Sequence, residues 1–327
     1  MAPVSSTSPS CLELFDAWIS AREPGVSTAK RWRVVFRSLQ SHFGGCNAGS
    51  VTKRRAREWA EGLVTSKRTA RTVSDIWLPA ARTVFGWAFD QHLIQANPFV
   101  AVTIAAPTTP RFRETEAFTP DETETILKAA LAITDTTSPF AAACRWVPWL
   151  CAYTGARIGE ITQVRGADIV KQDGIDALRL LPDSVSTDGG EARIVPIHEH
   201  LVAQGLLQFA VTKGPGPLFY APDRASIAAY NPSDPRRPGA VKTRERLAGW
   251  VRNVGVKDRT VRPNHAWRQT FKQIASQHEI SERISDEIAG HAPSSGDHGN
   301  HDQSLCGLAE ALRKFPRYTA TSNESES

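Results

Sequence analysis

Between residues 11 and 96, apolar side chains recur at helical spacing with no strand-like alternation, which restricts the first third of the chain to a bundle of helices. CLELFDAWISA places Leu12, Leu14, Phe15, Trp18 and Ile19 near one helical face. SVTKRRAREWAEGLV opens on a Ser/Thr cap signal and carries a basic face over Lys53, Arg54, Arg55 and Arg57. KRTARTVSDIWLPAARTVFGWAFDQHLI holds an apolar stripe through Val73, Ile76, Trp77, Ala80, Val84, Trp87 and Ala88. Within it Pro79 predicts a kink or a break, because proline has no amide hydrogen and crowds the preceding turn. NPF at 97–99 stops that helix.

The pattern then changes. Residues 100–117, VAVTIAAPTTPRFRETEA, combine small residues and prolines with Arg111 and Arg113, and predict an extended interdomain linker. FTPDETETILKAA opens a helix with Thr119 as cap, Pro120 at its first position and acids in its first turn. GIDALRLLP and ARIVPI are short strand-like runs joined by the turn-rich DSVSTDGGE, which predicts a small antiparallel hairpin. From 261 to 315 helices return, and no internal repeat is visible. The expected class is mainly α (α+β). A flexible tail at 1–10 precedes a helical domain at 11–99, the linker at 100–117, a second domain at 118–318 and a disordered tail at 319–327.

Length and charge narrow the function. At 327 residues each of two domains can bury its own core. No apolar run approaches the ~18–20 residues of a membrane span, so no membrane partner is expected. MAPVSSTSPS has neither the basic start nor the apolar centre of a signal peptide, and predicts a loose tail in a cytoplasmic protein. The five cysteines are scattered and form no CxxC pair, which argues against a disulfide framework or a zinc ribbon. Residues 1–110 hold 13 Lys+Arg against 7 Asp+Glu, and the remainder holds 26 against 27. A basic first third predicts a surface for a polyanion. A solvated basic face is the plainer alternative.

Three stretches carry chemistry. YTGARIGEI (153–161) is a Thr-Gly break followed by a helix start with Arg157 and Glu160. PNHAWRQTF (263–271) starts a helix with His265 and Arg268 one turn apart on one face. ISDEIAGH (284–291) is a helix ended by Gly290, with His291 just past its end. Each alone has a plain explanation, an Arg157–Glu160 pair or a satisfied core histidine. Together they suit a phosphodiester transition state: guanidiniums neutralise charge on non-bridging oxygens, and imidazoles move protons.

The order TGxRxxE, HxxR and GH behind a helical N-terminal domain resembles the tyrosine recombinases, or phage integrase family, over about residues 11–318. WAFDQHLIQANPF, FTPDE and RIVPIH belong to the same resemblance. It implies a helical core-binding bundle, followed by a DNA breaking-rejoining catalytic domain with a small antiparallel sheet. It implies site-specific recombination or integration of a mobile element, in which a tyrosine attacks the scissile phosphate and forms a 3′-phosphotyrosyl link. That link stores the bond energy, so neither a cofactor nor a metal is needed. Arg157 and Arg268 would clamp the phosphate, His265 and His291 would handle protons, and Glu160 would steady the Arg157 helix. Lys53, Arg54, Arg55, Arg57, Arg111 and Arg113 would contact the backbone of double-stranded DNA. A homo-tetramer on DNA is implied, and no small-molecule substrate.

Two departures stand out. The family places its tyrosine about nine residues after the GH histidine, but Asn300 stands there, between His298 and His301, and no tyrosine occurs from 231 to 317. The family's hairpin lysine should lie near Thr187, yet 172–212 contains no lysine. One reading is a recombinase relative that binds its site without cutting. Others deliver Tyr318 of KFPRYTA as a displaced nucleophile, or let His298 or His301 attack, with Tyr318 packing the last helix as the plainer alternative. A zinc site from His291, His298, His301, Asp302 and Cys306 matches no familiar spacing. Compensating frameshifts would also scramble such a window.

Overall fold

The computed structural model describes residues 9–105, 113, 115–182, 192–221, 238–258, 260–291 and 304–319. The chain divides into two compact units, Met1–Pro110 and Arg111–Ser327.

The first unit is helical throughout. Ser10 accepts the Glu13 amide while the Glu13 carboxylate accepts the Ser10 amide, which starts α1 (Cys11–Arg22) with two of its free donors satisfied. Cys11, Leu14, Phe15 and Trp18 form its buried stripe, and Phe15 stacks on Phe36 of α2 (Val26–His42) with ring centroids 4.7 Å apart. Thr52 caps α3 (Lys53–Gly62), which buries Ala56, Trp59 and Ala60.

A short helix, α4 (Ala70–Thr72), runs into a π turn over Val73–Trp77 and then into α5 (Leu78–Asp90). The expected break at Pro79 takes the form of this wider turn. Proline cannot bond back to the carbonyl four residues earlier, and the wider turn relieves the crowding. Past the NPF stop, the Arg82 guanidinium donates to the carbonyls of Phe99 and Val102, and Val102 is fully buried in this unit's core. The connection between units is therefore shorter than 100–117, since Ala117 and Phe118 are buried in the second unit.

The second unit is built round α7 (Pro139–Thr154), buried from Ala142 to Thr154. It packs against α6 (Pro120–Leu131) and α12 (Pro263–Gln277). The Thr119 cap of α6 has a reciprocal bond from Glu122. After α8 (Ile158–Thr162) comes an antiparallel sheet of β1 (Ile169–Gln172), β2 (Ile175–Leu180) and β3 (Arg193–Pro196), in that order. The two expected strands are β2 and β3, paired with Leu178 opposite Val195. β1 was not expected. Its signal is the Asp173-Gly174 pair, whose positive φ values (52° and 79°) make the tight turn into β2.

Helices α9 (Glu199–Ala203), α10 (Leu206–Lys213), α11 (Pro238–Asn253), α13 (Glu282–Ala289) and α14 (Leu305–Leu312) complete the unit. The molecule is thus mainly helical with one small sheet. Among the described residues no helix is long and apolar enough to cross a membrane.

Candidate functional site

The site grows from two helix ends. Gly155 closes α7 in the left-handed conformation (φ 60°), so the chain turns at once into Arg157, the N-cap of α8. One turn in, Glu160 has no exposed surface; its Oε2 accepts the Arg157 amide at 2.9 Å. A buried carboxylate needs a cation, and Arg193 of β3 supplies it as a fork, at 3.1 Å to Oε1 and 2.9 Å to Oε2. The Arg157 guanidinium lies 3.6 Å from the same carboxylate.

The second end is that of α13. Its last carbonyls are unpaired and carry the negative end of the helix dipole. Three guanidiniums converge on them. Arg193 donates to Ile288 O and Ala289 O, both at 3.0 Å. Arg268 donates to Ala289 O, to Gly290 O at 2.8 Å and to Gly155 O at 3.2 Å, which ties both helix ends together. Arg157 donates to Gly290 O at 3.3 Å. Gly290 is required twice over, by its φ of 72° and because a Cβ there would lie 2.4 Å from the Arg193 guanidinium carbon.

Three arginines against one carboxylate leave two positive charges in excess. Burial and the neighbouring Arg157 bring Arg268 down to about 10, which keeps it charged at neutral pH. Arg157 is the more open of the two clamp arginines: its Nε and second terminal nitrogen have no partner among the described residues. His291 accepts from Arg268 Nε through Nε2 at 2.7 Å, and its Nδ1 lies 3.0 Å from Asp286 Oδ1. Burial, then Arg268, hold His291 down at about 4.

No protein-family model matches the chain, and no curated protein does. Solved structures do. A lambda integrase dimer bound to a COC′ core site is 16% identical with a TM-score of 0.60, covering 89% of this chain and 97% of that one. The Tn1549 transposon integrase in complex with circular intermediate DNA is 15% identical with a TM-score of 0.60, covering 95% and 96%. A lambda integrase tetramer bound to a Holliday junction is 16% identical with a TM-score of 0.60, covering 88% and 78%. The chain has the tyrosine-recombinase fold.

Within this integrase fold, Arg157, Arg268 and His291 come together as described. His265 lies in the first turn of α12, exposed, with its pKa held below the ordinary value by partial burial and by Arg262; the charge of Arg157 reaches it. Tyr318 is not in the cluster. Its hydroxyl donates to Ala152 O at 3.3 Å, and its ring packs edge-on against Trp149 and Tyr153. Burial raises its phenol well above the ordinary value.

Lys53, Arg54 and Arg57 are exposed on α3, with Arg54 3.6 Å from Glu58. Arg55 instead turns inward, over the Phe43 ring and toward Cys46 Sγ. Arg113 is engaged by Glu122 at 2.6 Å and Asp258 at 3.4 Å, so it is an internal strut rather than an open cation. Arg111, the hairpin turn round Thr187, and His298, Asn300, His301 and Asp302 lie outside the described residues. Among the described residues no cluster of three metal-binding side chains occurs.

The sequence reading missed Arg193 and Asp286. Strand alternation was the signal for Arg193: it shares a face with fully buried Val195, and an arginine on a core face needs a buried acid.

A third histidine sets an acid limit. His198 donates through Nε2 to Phe315 O at 3.1 Å, accepts the His200 amide on Nδ1, and stacks on Tyr153 at 4.2 Å. Both nitrogens are committed to the neutral ring, and burial lowers its pKa. His200 and His291 are lowered too. A depressed histidine contributes stability that is complete above the unfolded value of about 6.5 and is lost as pH falls below it. Urea midpoints should therefore drop from about pH 6.5 toward pH 4, by up to about 1.4 kcal/mol per pH unit for each histidine. A midpoint unchanged over that range would contradict this assignment.

Proposed function

We propose that this chain is an integrase-type protein of a mobile element that grips duplex DNA, with Arg157 and Arg268 on a phosphodiester and His265 and His291 beside it. The observation that carries the reading is the excess of guanidinium charge at the joined ends of α7 and α13, with Arg157 holding donors that have no partner among the described residues. A phosphodiester is the anion whose geometry and charge this fork array fits. Exposed Lys53, Arg54 and Arg57 would add sequence-independent phosphate contacts from the first unit. Solved structures similar to this chain contain integrases on DNA, one of them a tetramer, which supports a cytoplasmic DNA partner and assembly of four copies on the site.

Strand transfer is the second reading, and Tyr318 decides against its simplest form. A half-buried phenol packed against Trp149 and Tyr153, with its hydroxyl donating to Ala152 O, cannot reach the arginine cluster without the C-terminal segment leaving its seat. The best-supported function is site-specific DNA binding with the phosphate clamp kept and the tyrosine chemistry gone.

Covalent trapping tests it. Nicked duplexes from the DNA flanking the gene are mixed with the protein and run on a denaturing gel with EDTA present. Expected are binding that weakens at least tenfold in Arg157→Ala, about 1.4 kcal/mol for a lost charge-assisted phosphate contact, and no covalent product. A DNA-linked band that vanishes in Tyr318→Phe would instead establish an active recombinase with a displaced nucleophile.

A further inference from the structure

An arginine can only donate, so the 2.7 Å contact from Arg268 Nε requires a lone pair on His291 Nε2. The neutral ring then carries its proton on Nδ1, facing Asp286 Oδ1 at 3.0 Å. Asp286 is itself held by Lys272, whose Nζ lies 2.8 Å from the same oxygen. Neither His291 Nδ1 nor Asp286 Oδ1 has a well-directed partner, so the Lys272 contact is an ion pair and the His291 contact a close approach of the ring N–H dipole to the carboxylate. The arrangement has a consequence for ligand entry. Among the described residues Arg268 has one guanidinium hydrogen left: Nε is on His291, and three others are on the carbonyls of Gly155, Ala289 and Gly290.

We propose that Asp286 is a positioning residue that fixes His291 as the Nδ1–H form, and that a phosphodiester entering the site displaces the Arg268–His291 bond and takes up one proton on His291. The inference rests on the reading of this site as a phosphodiester clamp. When a non-bridging oxygen accepts the Arg268 Nε–H, the Nε2 lone pair is released. That lone pair binds a proton from the buffer, and the new Nε2–H donates to the phosphate. The one covalent bond formed is Nε2–H and the one broken is the buffer acid's bond to that proton, leaving the acid's conjugate base; no bond between heavy atoms changes. The anion favours the charged ring, whereas in the free protein the facing charges oppose it.

Those facing groups are Arg268 and Lys272 from α12, Arg157 from the start of α8, and Asp286 from its own helix, with the Arg193–Glu160 pair behind Gly290. Of these, the two carboxylates favour protonation and the four cations oppose it. The low value of His291 in the free protein, about 4, agrees with a ring that is neutral until an anion arrives.

The test is DNA binding by isothermal titration calorimetry, with a short duplex from the DNA flanking the gene, in buffers of different ionisation enthalpy between about pH 8 and pH 6. Proton uptake should grow as pH falls, with affinity rising by up to about tenfold per pH unit, the limit for one proton. His291→Asn should lose the uptake that His291 contributes.

Two conservative variants then separate positioning from mere structure. Asp286→Asn removes a favourable charge and should flatten the pH dependence. Lys272→Met removes an unfavourable one and should shift the dependence to higher pH. A purely structural role would weaken binding in both without opposite effects on the pH profile.

Binding that is intact, weakened in Arg157→Ala and free of proton uptake would overturn this inference alone. Equal affinity of wild type and Arg157→Ala would remove the phosphodiester reading itself. Uptake unchanged in His291→Asn would assign the proton elsewhere and also overturn the proposal.

Discussion

Replacing Glu160 by alanine is expected to lower the unfolding free energy of the second unit by about 3–5 kcal/mol, the cost of stripping one partner from a buried ion pair. Glu160 has no exposed surface, and its carboxylate takes both arms of Arg193 and the Arg157 amide. Removing it leaves a guanidinium that is only 12% exposed without its anion and frees the helix start that presents Arg157. Urea unfolding should show a lower midpoint at an unchanged slope. Glu160→Gln keeps one acceptor oxygen, loses the charge and turns the other position into an NH2 donor, and should fall between wild type and Glu160→Ala. A midpoint for Glu160→Ala that corresponds to less than about 1 kcal/mol would show that water replaces the carboxylate and that Arg193 is not held as described.

Phe271→Ala should cost a similar amount, about 3–5 kcal/mol, for a different reason: a lost aromatic side chain and the cavity it leaves. Phe271 lies one turn beyond Arg268 on α12, is fully buried, and stacks on Phe315 with centroids 5.1 Å apart. It also fills the space over Gly155, where a Cβ would meet its ring at 2.6 Å. The ring thus supports the α7 end on one side and the C-terminal segment on the other. Phe271→Leu should recover most of the loss, because it restores volume without the stack. If Phe271→Leu is as destabilised as Phe271→Ala, the aromatic stack rather than the volume sets the cost.

The two substitutions separate what holds the clamp from what holds the unit. Glu160 holds Arg193 and the helix start that presents Arg157, so its loss should reduce DNA affinity as well as stability even though it removes a negative charge. Phe271 carries no charge or hydrogen-bonding group and packs on Phe315 and over Gly155, so its loss should act mainly on stability. DNA titrations of each variant, at temperatures where each remains folded, check this division.

Much of this was legible in the sequence, because it depends on local rules. Helical spacing from 11 to 96, the Thr119 cap with Glu122, and the glycine ends at 155 and 290 are decided within one or two turns of chain, and each appears as expected. The family resemblance also pointed to Arg157, Arg268 and His291. Arg157 and His291 stand at a helix start and just past a helix end, which local rules present, and Arg268 lies one turn from His265 on one helical face.

Tertiary structure decided the rest. Arg193 and Glu160 are 33 residues apart, and no local pattern states that one neutralises the other. Arg55 and Arg57 stand two residues apart in the same basic run, yet only packing turns Arg55 inward onto Phe43 and leaves Arg57 exposed. Arg113 reads as an open linker cation until Asp258, 145 residues away, closes on it. Tyr318 reads as a candidate nucleophile until its hydroxyl is seen to donate to the Ala152 carbonyl and its ring to pack against Trp149. The physical reason is common to all four. Sequence specifies which side chains can carry charge or donate a proton, but pairing and burial set whether they are free to do so, and both depend on partners distant along the chain.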